Sequence, residues 1–128
     1  MSDRNKQIVE EINAAFAKGD AETFLSHCVD NVTWTMVGEK VNKGKTAIRE
    51  WMASMKNTGP PRLTFEKLIA DDNSVVCCGD MLMKDKTGIE EKYSFCDIYE
   101  FSGGKIVDLQ SFVVKLARAG EKQKAATP

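Results

Sequence analysis

The sequence predicts an α+β fold in which helices pack on one side of a strongly curved sheet. Apolar residues recur at helical spacing in the first half of the chain, and the second half alternates apolar and polar residues between turn signals. The predicted strands reach about twelve residues, against a usual five or six, so the sheet must twist and bend. We therefore expect one domain whose sheet wraps into a half-barrel around a pocket that three N-terminal helices close.

The first helix is predicted from Asp3 to Lys18, where Gly19 follows as a C-terminal signal. Apolar residues recur at helical spacing on its inward face, namely Ile8, Ile12, Ala15 and Phe16. Asp20 is a favourable N-cap for a second, short helix that ends before Asp30. The inward side chains of that helix are predicted to be Phe24, Leu25 and Cys28.

A β-branched and aromatic run from Val32 to Val37 predicts a strand, and residues 38–45 are interpreted as a polar loop. A third helix is expected next, with an apolar face of Ile48, Trp51, Met52 and Met55. The helix-breaking residues 57–61 then lead into three or four strands in meander order. The stretches predicted for them are 63–70, 75–84, 89–101 and 105–116.

The hairpin between the two longest stretches suggests a pair of carboxylates. If residues 87–88 form a two-residue loop, Cys78 lies opposite Asp97 and Asp80 lies opposite Phe95 on one face. Asp80 and Asp97 are then diagonal neighbours roughly 7–8 Å apart. Two carboxylates at that distance in an apolar pocket do not both ionise easily, and a one-residue slip of the register would separate them.

Asp97 is the strongest candidate for chemistry because four aromatic side chains share its face of the predicted strand. These are Tyr93, Phe95, Tyr99 and Phe101. An acid in such surroundings is paired, or exposed at an edge, or has a raised pKa, and a raised pKa is typical of functional carboxylates. For Asp80 and Asp97 alike, solvation at a rim or an ion pair is the plain structural alternative.

Composition argues against several classes of function. The net charge is −1 and no basic stripe is visible, so neither nucleic acid nor a membrane surface is an expected partner. Four cysteines without C-x-x-C spacing indicate reduced core thiols, and with a single histidine we expect no metal and no cofactor. The charged N-terminus does not resemble a signal peptide, so a cytoplasmic location is expected. His27 is interpreted as a core or rim histidine.

A family resemblance is carried by KGDAETFLSHCVDNVTWTMVGEKVNKGKTAIREW, from Lys18 to Trp51. This stretch, with the later CDIYEF and GKIV, resembles the ketosteroid isomerase and SnoaL-like polyketide cyclase branch of the nuclear transport factor 2-like superfamily. The resemblance implies a cone-shaped, cystatin-like α+β barrel with a mixed sheet over residues 1–117, and leaves 118–128 as a disordered polar tail. Because this superfamily serves many functions, the resemblance transfers fold more readily than activity.

Position by position, the resemblance places Asp97 where ketosteroid isomerase has its oxyanion-hole aspartate. The general-base position is occupied by Met36 and the position of the oxyanion-hole tyrosine by Ile12. Neither side chain transfers a proton, so steroid isomerisation by that mechanism is not expected. Asp80 then becomes the candidate for a relocated acid or base.

The remaining predicted pocket residues are aromatic or sulfur-containing, and plain core packing is their alternative role. They are Trp34, Met36, Trp51, Cys78, Tyr93, Phe95 and Tyr99. The expected ligand is a small, apolar, oxygenated molecule. If the protein is an enzyme, we expect cofactor-free acid/base chemistry of the isomerase, cyclase or hydrolase type; the alternatives are a non-catalytic ligand-binding module and a protein-interaction dimer.

The last predicted strand has apolar residues on both faces. Ile106, Phe112, Val114 and Leu116 have one parity, and Val107, Leu109 and Val113 the other. One face can line the pocket, and the other then needs a cover. A homodimer through the convex face of the sheet is therefore expected, in agreement with the family resemblance.

Overall fold

The computed structural model describes residues 2–54, 61–85 and 87–116. Within these ranges it has three helices and six strands. They are α1 (Ser2–Ala17), α2 (Ala21–Ser26), β1 (Cys28–Met36), β2 (Lys40–Lys43), α3 (Lys45–Ala53), β3 (Arg62–Asp71), β4 (Ser74–Lys84), β5 (Glu90–Ser102) and β6 (Lys105–Lys115). The predictions made for Met55, residues 57–60 and the tail at 118–128 lie outside the described residues.

The strands form one mixed sheet in the order β2-β1-β6-β5-β4-β3. Strands β3 to β6 follow one another as antiparallel neighbours, which confirms the predicted meander. β1 is parallel to β6 and antiparallel to β2, so the first strand of the chain lies beside the last one in the sheet. The predicted α+β class, with a curved mixed sheet and N-terminal helices, is confirmed.

A turn at Gly19 and an N-cap at Asp20 connect α1 to α2. Gly19 has a φ of 74°, and the chain turns there with hydrogen bonds from its N–H to Phe16 and from the Asp20 N–H to Ala15. Asp20 then caps α2, since its carboxylate accepts hydrogen bonds from the Thr23 N–H at 3.2 Å and the Thr23 hydroxyl at 2.6 Å. These turns place α1 and α2 side by side over the sheet.

The three helices pack on one face of the sheet, called here the concave face. The fully buried side chains between them include Ile12, Phe24, Ile48, Tyr99 and Leu109. The opposite face, called the convex face, carries the alternate residues of each strand and has no helix of the described chain against it. Residue parity along a strand therefore decides whether a side chain faces the interior of the cone.

A β-bulge between Phe65 and Lys67 bends the edge of the sheet. Gly79 lies opposite Phe65 at this point, and β3 approaches it closely. A Cβ atom at Gly79 would overlap the Thr64 carbonyl oxygen and lie 3.0 Å from the Phe65 Cα. The bulge and the glycine together allow β3 to curl toward α1.

The predicted polar loop at 38–45 is wrong in part, because it contains the short strand β2. β2 is the edge strand of the sheet and pairs with β1, with Asn42 as its one buried residue. An edge strand with mostly exposed side chains shows no apolar alternation, so its sequence is not distinguished from that of a loop.

The boundary after α2 also differs from the prediction. Cys28 opens β1 instead of belonging to the helix, although it is buried as expected, and Asp30 lies within the strand. The pairing of β1 with β6 is irregular between Cys28 and Thr33, so turn-forming residues are tolerated inside this strand.

The register between β4 and β5 is shifted by one residue from the prediction. The Asp85 carboxylate accepts hydrogen bonds from the N–H groups of Thr87 and Ile89, and Gly88 has a φ of 88°. The Asp85 N–H also donates to the Ile89 carbonyl oxygen at 2.9 Å, and Lys84 pairs with Glu90 instead of the predicted Glu91. Every residue of β4 therefore faces a β5 partner one position from the predicted one.

Candidate functional site

A cavity of about 960 Å³ lies between the helices and the concave face of the sheet. Most of its lining is apolar, from Phe16, Trp34, Met36, Trp51, Met52, Leu63, Phe65, Met81, Met83, Tyr93, Phe95 and Val113. Its buried or half-buried polar side chains are Asn13, Asp97 and Ser111. Its other charged lining residues are exposed at the rim: Asp20, Glu22, Glu39, Lys40 and Arg49.

Three strands bring Met36, Ser111 and Asp97 into one row across the sheet. Ser111 on β6 pairs with Asp97 on β5 and with Met36 on β1. The Trp34 indole N–H donates to the Ser111 hydroxyl oxygen at 2.9 Å, and the Ser111 hydroxyl is hydrogen-bonded to the Asp97 carboxylate. The carboxylate is therefore held by a short chain of donors that begins at a buried indole.

Burial raises the pKa of Asp97 from 3.8 to about 6, and the hydrogen bond from Ser111 opposes part of that rise. A carboxyl group with this pKa exchanges its proton readily near neutral pH, which is the property required of a general acid or base. At pH 7 about nine in ten such groups are ionised.

Aromatic rings form the wall beside this carboxylate. Trp34 packs edge to face against Trp51 with ring centroids 5.0 Å apart, and lies 5.9 Å from the stacked ring of Phe16. Across the cavity, Phe65 and Phe95 pack edge to face at 5.9 Å. These rings and the neighbouring thioethers form a polarisable surface suited to flat, unsaturated molecules.

The rim is closed on one side by an ion pair between α2 and α3. The Arg49 guanidinium donates to both carboxylate oxygens of Glu22, at 2.8 and 3.0 Å. The hydrogen bond from Arg49 lowers the pKa of Glu22, and the hydrogen bonds from Thr23 lower that of Asp20. Glu22 and Asp20 therefore remain ionised under conditions in which Asp97 titrates.

Six of the sequence-predicted site residues line the cavity. They are Trp34, Met36, Trp51, Tyr93, Phe95 and Asp97. The structure places the other three elsewhere, since Cys78 and Asp80 lie on the convex face and Tyr99 lies within the core.

The predicted pairing of Asp80 with Asp97 is wrong, because the register between β4 and β5 is shifted by one residue. Cys77, not Cys78, pairs with Asp97, and Asp80 pairs with Ser94 on the convex face. The Ser94 hydroxyl donates to the Asp80 carboxylate at 2.9 Å, and Lys92 Nζ lies 3.7 Å from it. Asp80 is thus a surface acid with a hydrogen bond and an ion pair, which was the structural alternative to a catalytic role.

Tyr99 is fully buried beneath the cavity instead of lining it. Its hydroxyl has no hydrogen-bond partner within the described part of the chain. Burial raises the pKa of Tyr99 further above its ordinary value, so the phenol keeps its proton. Its ring supports the sheet beside Asp97, and the hydroxyl does not reach the cavity.

Sequence reasoning missed Ser111 and Asn13. Ser111 is 3% exposed and carries the contact to Asp97. Asn13 lines the cavity from α1, where its amide donates to Cys77 Sγ at 3.3 Å, while its neighbour Ile12 is completely buried. A polar residue on the apolar face of a strand or of a helix is the signal that could have identified Ser111 and Asn13.

Among the residues that the structure describes, the histidine and the acidic side chains do not assemble a metal centre. His27 pairs with Glu11 at 3.2 Å, where the end of α2 meets α1. In residues 2–54, 61–85 and 87–116, no three side chains of the metal-binding types come together. Over the same ranges, no helix has both the length and the apolar character needed to cross a membrane.

Comparison with solved structures finds the same fold in several proteins. An NTF2-like protein of unknown function from Cytophaga hutchinsonii is 26% identical, with a TM-score of 0.70 over 85% of this chain and 98% of that one. TerC, co-crystallised with polyporic acid, is 21% identical, with a TM-score of 0.75 over 84% of this chain and 89% of that one. An M. tuberculosis LEH-like epoxide hydrolase is 15% identical, with a TM-score of 0.77 over 88% and 84%.

The comparison with curated proteins gives no match. The family model of the SnoaL-like domain matches residues 9–109, which include the second half of α1, all of α2 and α3, and the β5 strand that carries Asp97. The chain therefore belongs to the SnoaL-like domain family, within the NTF2-like superfamily.

Proposed function

We propose that this protein binds a small, largely apolar molecule with a carbonyl group and transfers a proton at the carbon beside that carbonyl. The observation that carries the proposal is the position of Asp97, half-buried in an apolar cavity of about 960 Å³. The pKa of about 6 supports a proton-transfer role, because the carboxylate is ionised at neutral pH yet can hold a proton.

In this proposal Asp97 is the general base. Its ionised carboxylate is poorly solvated by the surrounding rings, so it accepts a proton from carbon more readily than a carboxylate in water. The Ser111 hydroxyl orients it, and the Tyr93 hydroxyl is the candidate donor to the enolate oxygen, since this phenol also lines the cavity. The same carboxyl group then returns the proton. In an isomerisation the proton goes to a second carbon, and in an aldol-type cyclisation it goes to the alkoxide oxygen formed when the enolate carbon bonds to a second carbonyl carbon.

A second candidate function is ligand binding without turnover. It is favoured by the position of Asp80 on the convex face, which leaves Asp97 without the second carboxylate that the sequence predicted. Without Asp80 beside it, Asp97 alone can still bind a ligand hydroxyl through a charge-assisted hydrogen bond. The two candidates differ in whether the bound molecule exchanges protons with Asp97.

Deuterium exchange distinguishes them. The probe is 2-tetralone, a bicyclic aromatic ketone with acidic α protons, and quenching of intrinsic fluorescence reports its binding because both tryptophans line the cavity. NMR in D₂O should show protein-catalysed loss of the α-proton signal. The rate should rise with pH through about 6 and level off above it, because the ionised form of Asp97 is the active one.

The matched variants are Asp97→Asn and Asp80→Asn. We expect D97N to reduce exchange by about 10²-fold or more while still binding the ketone, since proton transfer by a placed carboxylate contributes roughly that much. D80N removes an acid from the other face of the same sheet and should leave exchange unchanged. Binding without any exchange in the unaltered protein would favour the second candidate, and equal rates in D97N and the unaltered protein would refute Asp97 as the base.

We also propose that two copies of the chain associate through the convex face. Phe112 and Val114 of β6 project from that face and are 40% and 61% exposed. Apolar side chains left open on a sheet face are typical of a contact surface. A second copy would cover them without closing the cavity, which opens on the other side of the sheet.

A further inference from the structure

The convex face carries a pair of thiols that the proposed proton transfer does not use. Cys78 of β4 and Cys96 of β5 are directly paired across the strands, and both are half-buried and free. The Cys78 thiol donates to Cys96 Sγ, with the two sulfur atoms 3.4 Å apart. The shift of register that separates Asp80 from Asp97 also places Cys78 directly opposite Cys96.

The geometry of this pair is close to that of a cross-strand disulfide. Residues directly opposite on antiparallel strands have Cβ atoms about 4.5–5.5 Å apart, and disulfides span about 3.5–4.5 Å between Cβ atoms. The sulfur atoms already face one another, so bond formation needs a small approach of two strands and no refolding.

The other two cysteines are placed differently. Cys77 is 1% exposed on the concave parity and accepts the hydrogen bond from Asn13. Cys28 is 2% exposed, and its thiol donates to the Phe24 carbonyl oxygen at 3.3 Å. Only the Cys78 and Cys96 pair, among the four cysteines, combines mutual contact with access from solvent.

We propose that Cys78 and Cys96 are a redox modification site, at which a small disulfide of the glutathione type oxidises the two thiols to a reversible disulfide within one chain. In the first step, the Cys78 thiolate attacks one sulfur of oxidised glutathione, forms a mixed disulfide and releases one glutathione. Cys96 then loses its proton to solvent, attacks Cys78 Sγ and releases the second glutathione. Two protein thiols are oxidised and one glutathione disulfide is reduced to two thiols, so the two electrons balance.

The surroundings of the two thiols set the order of the steps. Burial and the adjacent Cys78 thiol raise the pKa of Cys96 to about 11, so Cys96 seldom supplies the first thiolate. Once Cys78 carries glutathione, Cys96 is its immediate neighbour, and the second attack is intramolecular. The finished bond would tie β4 to β5 beside the Cys77 and Asp97 pair, and so link the redox state to the strands of the cavity.

The test uses the full chain in buffers of reduced and oxidised glutathione at several ratios, with free thiols trapped by a maleimide. Intact mass spectrometry should show the loss of two hydrogen atoms, peptide mapping should find Cys78 joined to Cys96, and dithiothreitol should reverse both. Cys28 and Cys77 should react with maleimide only after unfolding in guanidinium. Oxidation should also raise the unfolding temperature by several degrees, because the crosslink restricts the unfolded chain.

Single variants and one surface variant make the result decisive. Cys96→Ser should stop at one glutathione on Cys78, and Cys78→Ser should form no intramolecular bond. Because a dimer would cover this face, the assay is repeated with Val114→Asp, which leaves it open. A bond to Cys77, a disulfide between chains, or four free thiols in both the unaltered protein and V114D would overturn the proposal.

Discussion

The acids around the cavity differ in pKa because their surroundings differ. Glu22 and Asp20 at the rim have lowered pKa values, since each accepts hydrogen bonds from a neighbour, while burial raises that of Asp97. Strand parity among aromatic residues identified Asp97 from the sequence alone. The same parity marks Ser111 as a polar residue on an apolar strand face, but its contact with Asp97 could not be predicted, because that contact depends on how three strands align and not on a local pattern.

Removing the Ser111 hydroxyl tests the donor chain at this carboxylate. In Ser111→Ala the ionised Asp97 loses a donor, so its pKa should rise further, and the pH midpoint of ketone exchange should move upward by about one unit or more. The measurement is the pH profile of deuterium exchange.

Ser94→Ala is the control for Ser111→Ala, because it removes a comparable hydroxyl from Asp80 on the convex face. Its profile should match that of the unaltered protein. A midpoint in S111A that is unchanged or lower would show that this hydroxyl does not stabilise the ionised form of Asp97.

At the scale of elements, the β4–β5 hairpin shows what sequence patterns predict and what they miss. The lengths of both strands and the inward face of β5 were predicted correctly, since they follow from alternating side chains and turn residues. The register and the inward face of β4 were predicted wrongly, because the Asp85 carboxylate hydrogen-bonds across the turn and the strands pair one residue away from the predicted position. This one-residue shift separates Asp80 from Asp97 and places Cys78 opposite Cys96.

Gly79 allows the bulged edge of the sheet to approach β4. Gly79→Ala should destabilise the fold by about 2–4 kcal/mol, because its Cβ would overlap the Thr64 carbonyl oxygen and backbone has to move. Urea unfolding followed by circular dichroism measures this loss.

Gly103→Ala is the comparison for Gly79→Ala. Gly103 has a φ of 58° and open space around it, so alanine there meets only the backbone penalty of about 1 kcal/mol. If G79A proved no less stable than G103A, close approach of β3 would not constrain this position.

At the scale of the whole molecule, placing all three helices on one face determines both the cavity and the surface left open. The helical spacing and long strands predicted this α+β arrangement, and the structure confirms it. The edge strand β2 was missed because a polar edge strand resembles a loop. Phe112 and Val114 are exposed on the convex face, so the proposed contact between two copies uses the sheet and not the helices.

A charge on this face should prevent association. We expect the unaltered protein to be a dimer in light scattering at micromolar concentration and Val114→Asp to be a monomer, since an ionised carboxylate is costly to bury in an apolar interface. Val37→Asp, at an exposed valine in the β1–β2 turn, should remain dimeric. A monomeric unaltered protein would contradict the proposed interface.

The most direct test of the proposed site is the titration of Asp97 itself. The carboxyl ¹³C resonance of Asp97, assigned by its loss in Asp97→Asn, is followed by NMR from pH 3 to pH 9. A midpoint at about 6 is expected, because burial in the cavity disfavours the ionised form. A midpoint near the ordinary value of 3.8 would mean that water solvates this carboxylate freely, and would contradict its role as the proton acceptor of an apolar site.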